Sequence, residues 1–158
     1  MPNFSLPLRV ALVSGKGLLQ GVWLKFFQTV NMAPVVRGVF DIKDRAASFA
    51  ATPFATASLK AGLYMIGWYV RVQVVAGVSS DVQVTVGWTD GGVPQTKVGT
   101  LVNGNLTTSH DETSFLARVD AGTQVTVAAA YNSNPAAAMQ YRANAVLVEM
   151  PLPTGAAV

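Results

Sequence analysis

The chain has 158 residues, of which 51% are hydrophobic and only 12% charged, with a net charge of +3 and no cysteine. An ordinary soluble domain carries about 25% charged residues, so a chain this apolar reads as one domain that hides surface against other copies or partners. The plainer alternative is a well-packed all-β monomer rich in Val, Ala and Gly. Lack of cysteine excludes disulfides and thiolate metal sites, and the 11 basic residues are scattered, which gives nucleic-acid binding little support.

The longest strongly apolar run, "AGLYMIGWYV", stops at Arg71, short of the ~20 residues of a spanning helix. No membrane partner is therefore expected. The opening "MPNFSLPLRVALVSGKG" has no basic region ahead of an apolar stretch and carries Arg9 within it, so no signal peptide is expected either.

Residues 1–35 read as an N-terminal arm. An extended start with Pro7 leads through a Gly-Lys-Gly turn into "LLQGVWLKFFQTVN". Here Leu19, Val22, Trp23, Phe26, Phe27 and Val30 fall on one face of a short amphipathic helix, with Asn31 and Pro34 suited to its end. So short and apolar a helix must dock on something: its own β-domain, a sister copy or a partner protein. These six residues are the candidate attachment or oligomer contact.

Residues 36–150 read as β throughout. "GLYMIGWYVRVQVV" places Tyr64, Ile66, Trp68, Val70, Val72 and Val74 on one face and Leu63, Met65, Gly67, Tyr69, Arg71 and Gln73 on the other. "DVQVTVGWT" turns Val82, Val84, Val86 and Trp88 inward, and "TSFLARV", "TQVTVAAAY" and "YRANAVLVEM" follow in the same style. The punctuation between them ("GVSS", "DGG", "NGN", "DAG", "NSNP") is turn chemistry. Short strands at regular spacing with no crossover helix predict an antiparallel β-sandwich or barrel. Residues 151–158, "PLPTGAAV", form an uncharged tail.

Chemistry is thinly provided. The single histidine, His110, stands in "TTSHDETS" beside Asp111 and Glu112, but neighbours on a strand face opposite ways and no second histidine completes a usual zinc set. That segment is expected as a solvated loop. No serine sits in a G-x-S-x-G elbow, and "SGKG" at 14–17 lacks the glycine spacing of a phosphate loop. The 8 acids lie mostly in turns or at strand ends, an unpromising setting for paired-carboxylate hydrolysis. Asp90, Gly91 and Gly92 read as a hairpin turn, with the aspartate bonding its own backbone. The aromatic residues offer a different option, a sugar-binding platform. Trp68 and Trp88 share the inward faces with the valines, which leaves Tyr69 and Tyr131 as the ligand-facing aromatics. No enzymatic activity, cofactor or metal is expected.

The order of these features resembles a module of tailed-bacteriophage structural proteins. Its marks are Gly62-Leu63-Tyr64 opening a strand, Gly87-Trp88-Thr89-Asp90-Gly91 closing one, Asp120-Ala121-Gly122-Thr123 before the next, and Met139-Gln140-Tyr141 running to Glu149. "SGKGLLQGVWLKFFQTVN" is similar to the segment preceding such modules in tail-appendage proteins. The resemblance implies a jelly-roll module of the tumour-necrosis-factor-like kind, preceded by the arm, forming a homotrimer and lacking catalytic activity. It implies a virion location after assembly in the bacterial cytoplasm, as a tail fibre or appendage or a capsid decoration. The partners it implies are other phage structural proteins. The alternative expectation is a carbohydrate-binding module for host-surface glycans.

Overall fold

The computed structural model describes residues 34–55, 59–134 and 138–151. The helical face proposed for Leu19 to Val30 and the tail from residue 152 onward lie outside the described residues. Among the described residues there is no helix; the secondary structure is entirely strand: β1 (Val35–Arg45), β2 (Phe49–Pro53), β3 (Gly62–Val74), β4 (Asp81–Asp90), β5 (Val93–Val98), β6 (Val102–Asn103), β7 (His110–Val119), β8 (Thr126–Asn132) and β9 (Gln140–Glu149).

These strands form two antiparallel sheets. One has the order β1-β9-β3-β7; the other has β2-β8-β4-β5, with β6 also paired to β4. Alternation along each strand sends one set of side chains between the sheets. From β3 come Tyr64, Ile66, Trp68, Val70 and Val72; from β9 come Tyr141, Ala143, Ala145 and Leu147. Val82, Val84 and Val86 of β4 with Val127 and Ala129 of β8 cover them from the opposite sheet. The chain is thus a β-sandwich around one core.

Residue size follows the register. Ala145 sits between Phe40 and Trp68, Ala143 between Ile42 and Val70, and Ala129 between Phe49 and Val84. A small side chain between two large ones lets the layers interdigitate at native density.

The inward set expected on β3 holds from Tyr64 to Val72 but fails at Val74, which is 46% exposed. A register shift between Val72 and Val74 against β9 changes the facing there. "TTSHDETS" is also corrected. Residues from His110 onward are strand, not loop, because β7 pairs with β3 from Arg71↔His110 to Gly62↔Val119.

The β4–β5 hairpin has the form expected. Asp90 pairs with Val93, and Gly91 and Gly92 take φ of 59° and 77°, the two positive values of a type I′ turn.

Candidate functional site: the outer face of the four-stranded sheet

The register aligns the outward side chains of β1, β9, β3 and β7 into rows across the sheet. At the end where the chain enters β1, the row is Val36–Val148–Met65–Leu116. The next is Val39–Val146–Gly67–Ser114, followed by Asp41–Asn144–Tyr69–Glu112, and then Arg142–Arg71–His110. The face therefore passes from apolar to polar along the strands. Val36, Val39 and Leu116 are 58%, 64% and 59% exposed, although each belongs to a residue type that usually packs. At the polar end, Arg142 grips Asp41 through Nε at 3.0 Å and a terminal nitrogen at 3.2 Å.

A depression of about 570 Å³ opens where the two halves meet, lined by Gly67, Tyr69, Glu112, Ser114, Asn144 and Val146 together with Trp68 and Thr113. Its floor is Gly67, and nothing in the backbone requires glycine there. Gly67 is not among the positive-φ glycines, and an added Cβ would meet Val146 Cγ1 at 3.4 Å, an ordinary contact. The glycine matters for what it leaves open. Beside it, Tyr69 leans towards His110, with ring centroids 6.0 Å apart.

The other expected site residues are distributed differently. Tyr131 does not face a ligand. It stacks on Tyr141 at 5.7 Å and donates its hydroxyl to the Met139 carbonyl at 2.7 Å, because position 131 shares the inward face with Val127 and Ala129. Trp68 is buried and Trp88 packs against the core, with Phe115 between them at centroid distances of 6.0 Å and 5.2 Å. Lys97 places its ammonium 4.7 Å from the centre of the Phe115 ring. Asp111 points inward and accepts the Trp68 indole N–H at 2.9 Å, while His110 and Glu112 point outward. His110 Nδ1 lies 3.0 Å from the Thr108 carbonyl. The strand thus splits the three side chains apart, and among the described residues no three His, Asp or Glu side chains group to hold a metal ion.

The hairpin aspartate needs a correction. Asp90 faces Arg118 at 3.9 Å, and the carboxylate that bonds the turn amides is that of Asp120. Sequence reasoning also missed Ser114, Glu112 and Asn144 as neighbours of Tyr69. The available signal was Gly67 itself, an isolated glycine inside a strand pattern, which often marks a close approach to the backbone.

No family model matches the chain, and no curated protein matches it. Among solved structures, a chain in the structure of infectious bursal disease virus, Gt strain, is similar at a TM-score of 0.39 and 9% identity. The match covers 77% of this chain and 38% of that one, so this chain corresponds to well under half of its neighbour's length.

Proposed function

We propose that the chain is a non-enzymatic structural component of a tailed-phage virion: a small jelly-roll module that assembles as a homotrimer and attaches to the particle through its N-terminal arm. The strand orders support the jelly-roll part. Successive strands alternate between the sheets from β1 to β4 and from β7 to β9, as in two interlocked Greek keys, with the short β6 as an extra pairing.

The observation that carries the assembly reading is the exposure of Val36, Val39 and Leu116 on the outer sheet face. Exposed large apolar side chains gathered at one end of a sheet mark an interaction site, and these three lie at the end where residue 35 continues from the arm. Covering Val36, Val39 and Leu116 would contribute roughly 1–2 kcal/mol each before ordering costs. The partners are then other copies of the chain and the capsid or tail proteins of the particle, and the location is the virion.

Native mass spectrometry of the full chain and quantification in purified particles test this. A trimer is expected, along with a fixed copy number per particle, high for a capsid decoration and low for a tail appendage. Val39→Lys with Leu116→Lys should give folded monomers that no longer incorporate. A wild-type monomer, or absence from particles, overturns the reading.

A further inference from the structure

We propose that the depression above Gly67 is a saccharide subsite taking one neutral pyranose ring of a surface polysaccharide. In this assignment Tyr69 is the stacking wall, and Glu112, Asn144 and Ser114 are the partners of the ring hydroxyls. The site begins one row in from Val36 and Leu116: Gly67, Ser114 and Val146 share a row with Val39, and Tyr69, Glu112 and Asn144 form the next.

The first argument is the glycine. In the middle of a strand glycine is less stable than alanine by about 0.5–1 kcal/mol, and neither φ nor packing demands it at position 67. A strand glycine with no local backbone reason fits a place where a ligand approaches the backbone.

Register supplies the second. Ser114 is directly across from Gly67, while Glu112 and Asn144 flank Tyr69 on its two sides. Side chains directly opposite each other have Cβ atoms about 4.5–5.5 Å apart, so Glu112 and Asn144 stand about 10 Å apart with Tyr69 between them, and their side chains reach in from both sides of the opening beside Ser114.

The third is chemical fit. A carboxylate can accept from two adjacent hydroxyls, an amide both donates and accepts, and a serine hydroxyl does either. The tyrosine offers an apolar face for the C–H side of the ring. Among the described residues of the lining, Glu112 is the one charged side chain and no cation is present, which favours a neutral sugar over an anionic one. An apolar side chain from another copy or from the arm fits less well. Val146 is the one aliphatic side chain among the described residues of the lining, and such an occupant would cover Glu112 and Asn144 without satisfying them.

The test is amide-resolved NMR of the full chain, titrated separately with glucose, galactose, mannose and N-acetylglucosamine at millimolar concentrations. At least one sugar should give saturable shifts centred on Gly67, Tyr69, Glu112, Ser114 and Asn144. Glu112→Gln should weaken that binding by about tenfold, the cost of losing a charged hydrogen-bond partner. Gly67→Val and Tyr69→Ala should abolish it with the remaining spectrum unchanged; if the valine variant does not fold, Gly67→Ala with its ordinary Val146 contact must still weaken binding. The proposal is overturned if none of the sugars gives saturable shifts, if the shifts lie elsewhere, or if these variants bind as the wild type does. It is also overturned if Trp23→Ala with Phe27→Ala, made in the full chain without sugar, moves the same amides, since the arm would then be the occupant.

Discussion

The Asp120 carboxylate accepts the backbone N–H of Gly92 at 2.7 Å, and its other oxygen takes the N–H of Gly91 at 3.0 Å. Three strands, β5 to β7, separate these residues in sequence, so the bonds tie the β7–β8 turn to the tip of the β4–β5 hairpin. The Asp120 amide closes the link by donating to Thr89 O at 3.0 Å. The type I′ turn points successive N–H groups the same way, a small concavity suited to an anion, and here the anion is part of the chain.

Removing that anion should loosen the hairpin first. Asp120→Ala is expected to cost about 1–2 kcal/mol, below the full value of a buried charged bond because the turn is exposed. Asp120→Asn, which keeps one acceptor oxygen, should cost about half as much. Hydrogen exchange at Gly91 and Gly92 should rise with both variants, more for alanine. Unchanged exchange would mean the carboxylate only neighbours the turn.

Gly38 and Gly67 both sit inside strands, and alanine should separate them. A methyl group at position 38 would run into the Phe54 carbonyl, backbone against backbone, where β1 bridges to Ala55. Gly38→Ala should therefore cost about 3 kcal/mol or more, since neither strand can give way cheaply. Gly67→Ala meets only an ordinary contact and should be neutral or stabilising by up to about 1 kcal/mol. Urea melts of the two variants check the contrast.

Asp111 is an inward carboxylate held by the Trp68 indole. Asp111→Ala would leave that N–H without its partner at the edge of the aromatic stack that joins the sheets. A loss of about 1–2 kcal/mol is expected, together with altered tryptophan fluorescence, because Trp68 and Trp88 are coupled through Phe115. Chemical denaturation followed by fluorescence reads both. A variant as stable as the wild type would show that water replaces the carboxylate.

The sandwich was legible where alternation was clean. β3, β4 and β9 carry near-perfect period-2 patterns, and their punctuating turns announced themselves by glycine and asparagine. β1 was harder to see, because two register shifts break its pattern and Asp44 takes a positive φ of 51°. β5 hid behind Pro94 and Lys97, residues suited to an edge strand that must resist further pairing. His110 to Glu112 looked like a loop because an edge strand with one solvated face can be nearly all polar. Its one inward acid is matched by an indole, which no local pattern reveals. The depression was only half visible. Periodicity assigned Tyr69 and Gly67 to the outer face, but which residues of β7 and β9 stand beside them depends on register, set by pairings distant in sequence, such as Tyr69↔Glu112, Tyr69↔Asn144 and Gly67↔Val146.

Tyr141 predicts the alkaline limit of the fold. Its ring is fully buried, and its hydroxyl donates to the Ala47 carbonyl at 2.8 Å. Burial pushes the phenol up from 10.0 to about 12, with nearby Arg45 pulling in the opposite direction. In the unfolded chain the phenol loses its proton near pH 10, whereas in the folded chain it holds on until about pH 12. Between those values the unfolded state binds fewer protons than the native one, so stability must fall as pH rises. The contribution is complete below pH 10 and gone once the pH passes about 12. Tyr64, also raised chiefly by burial, adds in the same direction. Thermal melts from pH 8 to 12 should therefore show a falling midpoint above about pH 10. Tyr141→Phe should lose about 1 kcal/mol at neutral pH, for the missing bond to Ala47, yet show a shallower decline at high pH. An equally steep decline in the phenylalanine variant would assign the alkaline transition to other groups.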